Sequence, residues 1–455
     1  MKLGIVILAA GRGKRMCSTL PKVLHPLAGQ PLLMHVLHVA HQLGATQQVV
    51  VYGHGGEQVR SVLADQDCLW VEQAEQQGTG HAVMQALPVL SGMDRLLVLY
   101  GDVPLITPET LRRLLSVSLD TQLGLLIAEL PDPTGYGRII RATDGRVTCI
   151  IEEQDATPAE RTIREINTGV LVADHACLAD WLSRIRNDNA QSEYYLTDVI
   201  ALAAQSGVQI ATTQPGTLAE VTGVNDRVQL AELERIYQHN AALQLMRSGV
   251  TLADPARFDL RGSLDAAPDV SLDINVIIEG RVSLASGVRV GSNCFLKDCT
   301  IGSDTEILAN CVIEGAEVGA NARIGPFARL RPAARLAANT HVGNFVEIKK
   351  TTLGEGSKAN HLSYLGDAEI GAGVNIGAGT ITCNYDGVNK SLTRIGDGAF
   401  IGSNTALVAP VIVGEQATIG AGSVITRHAP PDQLTLTRAT QTTIPGWQRP
   451  QKKSE

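Results

Sequence analysis

The sequence predicts a chain of two folds. An α/β layer with a mainly parallel sheet spans residues 1–227, a connecting helix spans 228–248, and a parallel β-helix spans 249–455. Three observations predict this. Short apolar runs alternate with amphipathic ones in the first half, a stretch of helical spacing follows, and aliphatic residues recur at every sixth position in the second half. At 455 residues the chain is also too long for one ordinary core.

In the first half, the apolar runs Gly4–Leu8, Val49–Val51, Arg95–Leu99 and Leu123–Glu129 stand against amphipathic Leu33–Leu43 and Glu109–Ser116. Such alternation builds a sheet covered by helices, and its ligands sit beyond the carboxyl ends of the strands. Lys2 and the apolar Ile5–Ala10 faintly mimic a secretion signal. The run is short and basic residues follow at once, so a buried first strand is expected.

Two segments at strand ends carry polar chemistry. The first is Leu8-Ala9-Ala10-Gly11-Arg12-Gly13-Lys14-Arg15, running on to Pro21-Lys22. Small residues let the backbone approach a ligand, and the basic side chains offer charge to phosphates. The G-x-x-x-x-G-K-[ST] spacing is absent, and Gly11-x-Gly13 lacks a third Gly at position 16, so neither common phosphate fingerprint is present. A tight surface loop with solvated charges would read the same way. The second segment, Leu96–Leu105, places Asp102 after an apolar strand and a Gly. One carboxylate there is enough for half a Mg²⁺ site when phosphates supply the rest. A turn cap before Pro104 is the alternative.

Leu230, Leu233, Ile236, Tyr237 and Leu243 sit at helical spacing, and Gly249 is a C-terminal stop. Beyond it come two ladders: Val318, Ile324, Leu330, Leu336, Val342, Ile348, and Ile395, Ile401, Leu407, Val413, Ile419, Ile425. A period of six fits neither a helix nor a half-buried strand and marks the coils of a β-helix. Many rungs precede Gly, as in Ile324-Gly325, Val342-Gly343, Ile376-Gly377, Ile395-Gly396 and Ile401-Gly402, which reads as a sharp bend after each rung. Slips of one residue separate Ile313 from Val318, Ile348 from Leu353 and Leu365 from Ile370. A longer insertion, Cys383–Lys390, interrupts the coils, and solenoid insertions often carry function. His361 falls off the rung phase set by Ala359 and Leu365, so it points outward, where it can accept a proton near neutral pH. A solvated surface His fits equally.

A formal charge of −8 and a pI near 5.8 argue against a nucleic-acid partner. Aromatics at 4% suit a thin core of small aliphatics. Eight scattered Cys without a CxxC pair read as reduced thiols in the cytoplasm, not as a disulfide framework or zinc site. No apolar stretch is long enough to insert across a membrane.

The first half resembles the sugar-1-phosphate nucleotidyltransferases. The likeness runs through Leu8-Ala9-Ala10-Gly11-x-Gly13-x-Arg15-Met16, Gln73, Gln76–Ala82, Gly135–Arg138, Glu152, Glu165–Gly169 and Gly223–Asn225. The second half resembles the hexapeptide acyltransferases, through its hexads, His361 with its neighbours and Asn384-Tyr385-Asp386-Gly387. Together the likeness covers essentially the whole chain, thinnest over 250–290 and after Trp447, with one departure at Ala142–Gly145 in a variable turn. It implies a Rossmann-like nucleotidyltransferase domain and a left-handed parallel β-helix of hexapeptide repeats. It further implies a bifunctional cytoplasmic homotrimer. Acetyl-CoA acetylates glucosamine-1-phosphate, then UTP turns N-acetylglucosamine-1-phosphate into UDP-N-acetylglucosamine and pyrophosphate, feeding peptidoglycan and lipopolysaccharide precursors.

The resemblance also implies residue roles. Arg15 and Lys22 neutralise the triphosphate, and Asp102 and Asn225 hold Mg²⁺. Leu8, Ala9, Ala10, Gly11, Tyr100 and Gly101 line the nucleotide, Gln73, Gly78 and Thr79 read uracil, and Gly137, Glu152 and Asn167 hold the sugar. His361 is the base of acetyl transfer, with Arg331, Lys349, Tyr364 and Asn375 on the phosphosugar. Ala378, Asn384, Tyr385, Ser403, Ala421 and Arg438 contact acetyl-CoA.

A glucose- or mannose-1-phosphate nucleotidyltransferase with a regulatory β-helix is the nearest rival. It would not need His361 or the 383–390 loop, and its glycine-rich loop would usually begin Gly-Gly where this chain has Ala10-Gly11. A metal-bearing solenoid needs three His ligands, and the coils offer only His341, His361 and His428, the last near their end. A purely structural scaffold leaves the basic loop and Asp102 unexplained.

Overall fold

The apolar run near the N-terminus forms a strand, Leu3–Ala9, buried along its whole length. In the computed structural model, which describes residues 1–11, 13–53 and 55–452, this strand is central to the first of two units, Met1–Tyr237 and Gln238–Glu455. Parallel strands Gln47–Tyr52 and Arg95–Tyr100 flank it. Val6 and Leu8 enter one core while Leu3, Ile5 and Ile7 enter the other. Burial on both faces explains why the run is continuously apolar and does not alternate.

The sheet order is Ile210–Thr213, Leu123–Glu129, Glu165–Asp174, Arg95–Tyr100, Leu3–Ala9, Gln47–Tyr52, Leu69–Glu72. Along that path only Glu165–Asp174 runs antiparallel to its neighbours. A hairpin, Arg138–Arg141 with Val147–Ile151, branches from it, and its turn holds the divergent Ala142–Gly145 with Gly145 at φ 84°. The chain leaves Leu3–Ala9 on one side and returns on the other as Arg95–Tyr100. The carboxyl ends of these two strands are therefore the point where the strand order reverses. There the Gly101 N–H donates to Leu8 O at 2.9 Å, holding the two candidate segments side by side.

The helix Arg227–Arg247 is continuous through the division between the units. Its early residues Leu230, Leu233, Ile236 and Tyr237 pack with Met16, Leu27, Leu32 and Val224 in the first unit. Ala242 and Leu245 join the core of the second.

The second unit is a parallel β-helix. Its strands stack coil on coil, as in the series Val342, Ala359, Ile376, Ile401 and Ile419, each paired with the next. Every rung of both aliphatic ladders is buried. Of Gly325, Gly343, Gly377, Gly396 and Gly402, which follow rungs, the last four have another reason than bending, whereas Gly325, at φ 94°, does take the left-handed bend. Bends fall on left-handed residues further along, such as Phe345 (φ 57°), Gly379 (φ 75°) and Asn404 (φ 54°). A Cβ on Gly343 would stand 1.9 Å from Asn360 O, and one on Gly402 would stand 2.4 Å from Ala421 N. Adjacent coils approach too closely there for any side chain. Two of the three one-residue slips lie in long strands that turn a corner without a break, Glu347–Leu353, with Lys350 at φ 46°, and Tyr364–Ile370, with Asp367 at φ 48°. The slip between Ile313 and Val318 falls between two short strands, at Gly315 (φ 55°).

Candidate functional site

Two clusters form, one in each unit. In the first unit the loop after Leu3–Ala9 folds back through two short 3₁₀ turns, Lys14–Met16 and Lys22–Leu24. Gly13, at φ 57°, makes this possible, because a Cβ there would sit 2.7 Å from Lys22 Cβ. Arg12 of this loop lies outside the described residues. The Lys22 ammonium bonds the Asp102 carboxylate and lies 3.5 Å from Asn225 Oδ1, which also accepts from Arg15 Nη2 at 3.0 Å. Arg15, Lys22, Asp102 and Asn225 thus meet at the reversal point. Asn225 is set by its own backbone: its N–H donates to Gln229 Oε1 at 2.7 Å, and Val224 N–H donates to Asp102 O at 2.9 Å. The Asp102 carboxylate accepts from no backbone N–H among the described residues, which removes the support for a turn cap.

The pair Asp102 and Asn225 fits a hard divalent cation. Both offer oxygen, and an ammonium already stands against both. Mg²⁺ takes one or two such protein ligands and completes its shell with phosphates and water. No group of three or more His, Cys, Asp or Glu able to hold a metal exists among the described residues.

Gln73 and Gly78 lie together: Gln73 Nε2 donates to Gly78 O at 3.0 Å. Thr79 starts the helix Thr79–Ala86, and its hydroxyl accepts from Leu196 N–H at 3.1 Å. Gly78, at φ 108°, passes so near the Glu193–Tyr194 backbone that a Cβ would stand 2.6 Å from Tyr194 O. Ala10 O accepts from Gln76 Nε2 at 2.7 Å, tying this string to the basic loop.

Gly137, Glu152 and Asn167 also converge. Asn167 N–H donates to Gly137 O at 2.8 Å, and a Cβ on Gly137 would stand 3.2 Å from Glu152 Oε2. Burial raises the Glu152 pKa, while a hydrogen bond from Thr197 Oγ1 at 2.9 Å opposes the rise. Burial, then the Glu152 and Asp102 charges, keeps the Tyr100 hydroxyl protonated as a donor. Thr197 was missed in the sequence, where it sits in a loop without period or motif.

Beside Glu152 lies a cavity of about 330 Å³ lined also by Asp155, Tyr195 and Asp198. Burial, with the Glu152 and Asp155 charges, pushes Asp198 up to about 6. An acid raised on folding favours the protonated form, so stability falls as pH rises from about 4, its unfolded value, to about 6. Asp198→Asn is expected to remove that loss, worth about 1 kcal/mol for a half-buried group. Thermal unfolding checks it: a Tm gain of about 2–4 °C at pH 7.5 and almost none at pH 4.

In the second unit one corner column carries Asn344, His361, Ala378, Ser403 and Ala421, each preceding a left-handed corner residue on successive coils. Backbone bonds join them: Gly379 N–H to His361 O at 3.3 Å, Asn404 N–H to Ala378 O at 2.7 Å and Gly422 N–H to Ser403 O at 2.8 Å. Arg438 ends the column, its Nη2 2.9 Å from where a Gly420 Cβ would be. His361 is exposed, and its Nδ1 faces Asn344 Oδ1 at 3.3 Å. An amide oxygen only accepts, so Nδ1 carries the hydrogen and Nε2 keeps a free lone pair.

Across the next bend, Arg331 and Lys349 stack on neighbouring coils, with Arg331 N–H donating to Ile348 O at 2.8 Å. Arg331 Nη1 is held by Glu347 Oε1 at 2.7 Å, and Glu347 pairs in register with Tyr364. Contact with Lys390, then its like charge, lowers the Lys349 pKa, and Arg331 adds to it. Three cations converge, an arrangement that suits an anion. Lys390 was missed as a site residue because only the folded insertion returns it to Lys349. Asn375 registers with Lys358, on the coil above His361's strand. Asn384 donates to Asp367 Oδ2 at 2.5 Å, and exposed Tyr385 donates to Gly387 O at 2.5 Å. No hydrogen bond or ion pair among the described residues joins Asn384 or Tyr385 to the column of Ala378, Ser403, Ala421 and Arg438.

Known proteins match this division. Residues 5–143 match a MobA-like NTP transferase domain, 260–352 a GMPPB C-terminal domain, and 392–427 a bacterial transferase hexapeptide model of six repeats. Curated proteins named bifunctional protein GlmU align over almost the whole chain. The protein of Methylococcus capsulatus is 58% identical over 99% of this chain and 98% of its own. That of Nitrosospira multiformis is 56% identical over 99% and 98%, and that of Acinetobacter baumannii 56% over 99% and 99%. The chain belongs to the bifunctional GlmU family, enzymes that join a uridyltransferase and an acetyltransferase activity in one polypeptide.

Proposed function

We propose that residues 1–227 carry the uridylyl transfer, 228–248 link, and 249–455 carry the acetyl transfer, with the residues gathered above as the two sites. The observation that carries this reading is the separation of the clusters: Lys22, Asp102 and Asn225 meet in one unit, while His361 heads a column of small side chains in the other.

In acetyl transfer the three cations Arg331, Lys349 and Lys390 bind the phosphate of glucosamine-1-phosphate, and Tyr364 and Asn375 border the sugar. His361 Nε2 removes a proton from the amine, whose nitrogen forms the amide bond with the thioester carbonyl as the C–S bond breaks and CoA thiolate leaves. Asn344 keeps the ring in that tautomer. From His361 to Arg438 the column rises four coils, about 19 Å at roughly 4.8 Å per coil. Small Ala378, Ser403 and Ala421 leave a groove for an extended thioester arm, with the Arg438 cation at the end where phosphates lie.

In uridylyl transfer a phosphate oxygen of N-acetylglucosamine-1-phosphate attacks the α-phosphorus of UTP, and the bond to pyrophosphate breaks. Arg15 and Lys22 balance the charge, and Gly137, Glu152 and Asn167 hold the sugar, so catalysis is positioning and neutralisation. Asp102 and Asn225 would hold Mg²⁺, which would supply charge neutralisation to the phosphates. The product supplies cell-wall precursors. All eight Cys are free, which supports a reducing cytoplasm, and no described helix is long and apolar enough to cross a membrane. Assays with UTP plus N-acetylglucosamine-1-phosphate, and with acetyl-CoA plus glucosamine-1-phosphate, test the reading. Absence of the second activity would return the second unit to a regulatory role.

We further propose that the acetyl sites are shared between copies in a closed threefold assembly, a reading consistent with the lack of any hydrogen bond among the described residues from Asn384 or Tyr385 to the column. Co-expressing His361→Ala and Asn384→Ala chains is then expected to restore acetyl transfer that each variant lacks alone. A mixture no more active than its parents would place each site within one chain.

A further inference from the structure

On the helix Thr79–Ala86, His81 and Gln85 stand one turn apart on the same face. With Gln73, only 3% exposed, they form a chain of three side chains. Gln73 Nε2 donates to Gly78 O at 3.0 Å and lies 3.1 Å from His81 Nδ1. The Gln85 carboxamide lies 3.1 Å from the other ring nitrogen, and the Tyr194 ring lies 6.4 Å from the imidazole.

A backbone carbonyl only accepts, so Gly78 dictates which end of the Gln73 carboxamide faces inward. Both amide hydrogens are then committed, one to Gly78 O and one to His81 Nδ1. Nδ1 is therefore the bare nitrogen of a neutral imidazole and Nε2 carries the hydrogen. Gln85 completes the chain by turning its carboxamide oxygen to receive it. What remains of Gln73 is its side-chain oxygen, which has no hydrogen-bond partner among the described residues.

We infer that His81 is a positioning residue for nucleobase selection, holding Gln73 so that its carboxamide can only accept. The inference rests on the reading that Gln73 faces the base. An acceptor satisfies the N3–H of uracil and opposes the bare N3 of cytosine, so the pair selects UTP over CTP. A site built to pair a substrate N–H rejects the analogue that lacks it, because its own polar atom is left unpaired. With His81 gone, one of two anchors is lost, and a carboxamide able to turn offers its amide hydrogens to cytosine.

The test uses the full-length protein, with kcat and KM for UTP and for CTP against N-acetylglucosamine-1-phosphate. His81→Phe keeps the ring volume and removes the acceptor; His81→Asn returns an acceptor near the Nδ1 position. His81→Phe is expected to raise KM for UTP about tenfold, leave kcat within about threefold and lower the UTP-over-CTP ratio of kcat/KM about tenfold. His81→Asn is expected to recover most of that ratio, and acetyl transfer is expected to stay unchanged in both. A purely structural His81 would weaken both nucleotides alike, and a ratio within about twofold of wild type overturns the inference. Gln73→Ala separates the two layers. An unchanged ratio there removes Gln73 from base reading and the inference with it; a lost ratio there, kept in His81→Phe, overturns the role of His81 alone. Where His81→Phe fails to fold, Gln85→Leu leaves the imidazole untethered and is expected to lower the ratio about threefold. No change in that variant also overturns the inference.

Discussion

His361→Ala is expected to cut acetyl transfer by about 10²–10⁴-fold, the range for loss of a positioned general base, while uridylyl transfer stays within about twofold. The ring sits at the foot of a column of small side chains, its Nδ1 turned to Asn344 and its Nε2 free. Its hydrogen-bond partners Asn344, Ser363 and Gly379 all belong to the β-helix. Paired assays on folded variant decide it. A similar loss of both activities would mean that the two reactions share one site. Retained acetyl transfer would leave His361 a solvated surface residue.

Asp102→Ala is expected to lower Mg²⁺-dependent pyrophosphate release by about 10³-fold or more, as removal of a group that stabilises developing charge does, and to spare acetyl transfer. Asp102 is the carboxylate that meets both Lys22 and the Asn225 neighbourhood at the reversal point. Its removal would take away one of the two oxygen ligands proposed for the cation and release the Lys22 ammonium from its partner. Both effects act on the triphosphate side of the reaction. Measuring pyrophosphate release across a Mg²⁺ titration separates them: a lost ligand shifts the Mg²⁺ dependence, whereas a misplaced Lys22 lowers the plateau. Activity close to wild type across the titration would reduce Asp102 to a loop residue.

The architecture was legible because its signals are local and periodic. Six-residue spacing of aliphatics follows from three faces per coil, each burying a side chain, and every rung so identified is buried. The doubly covered strand Leu3–Ala9 was legible for the same reason, since burial on both faces leaves no polar alternation. Candidate residues at strand ends followed from position alone, because open α/β sheets expose their ligands there.

Contacts between residues distant in the chain were not legible. The sequence shows Lys22, Asp102 and Asn225 as three separate polar residues, and strand order brings them together. The insertion at 383–390 breaks the hexad count, so no spacing places Ala378 and Ser403 on one corner or returns Lys390 to Lys349. The glycines show the difference most plainly. Their positions after the rungs were visible in the sequence, but for Gly343, Gly377, Gly396 and Gly402, though not Gly325, the reason was the approach of the next coil, as the 1.9 Å from a Gly343 Cβ to Asn360 O shows. A periodic pattern determined which residues go inward, because that is a property of one coil. Which outward residues meet was decided only by stacking, because it depends on where the neighbouring coils and strands lie.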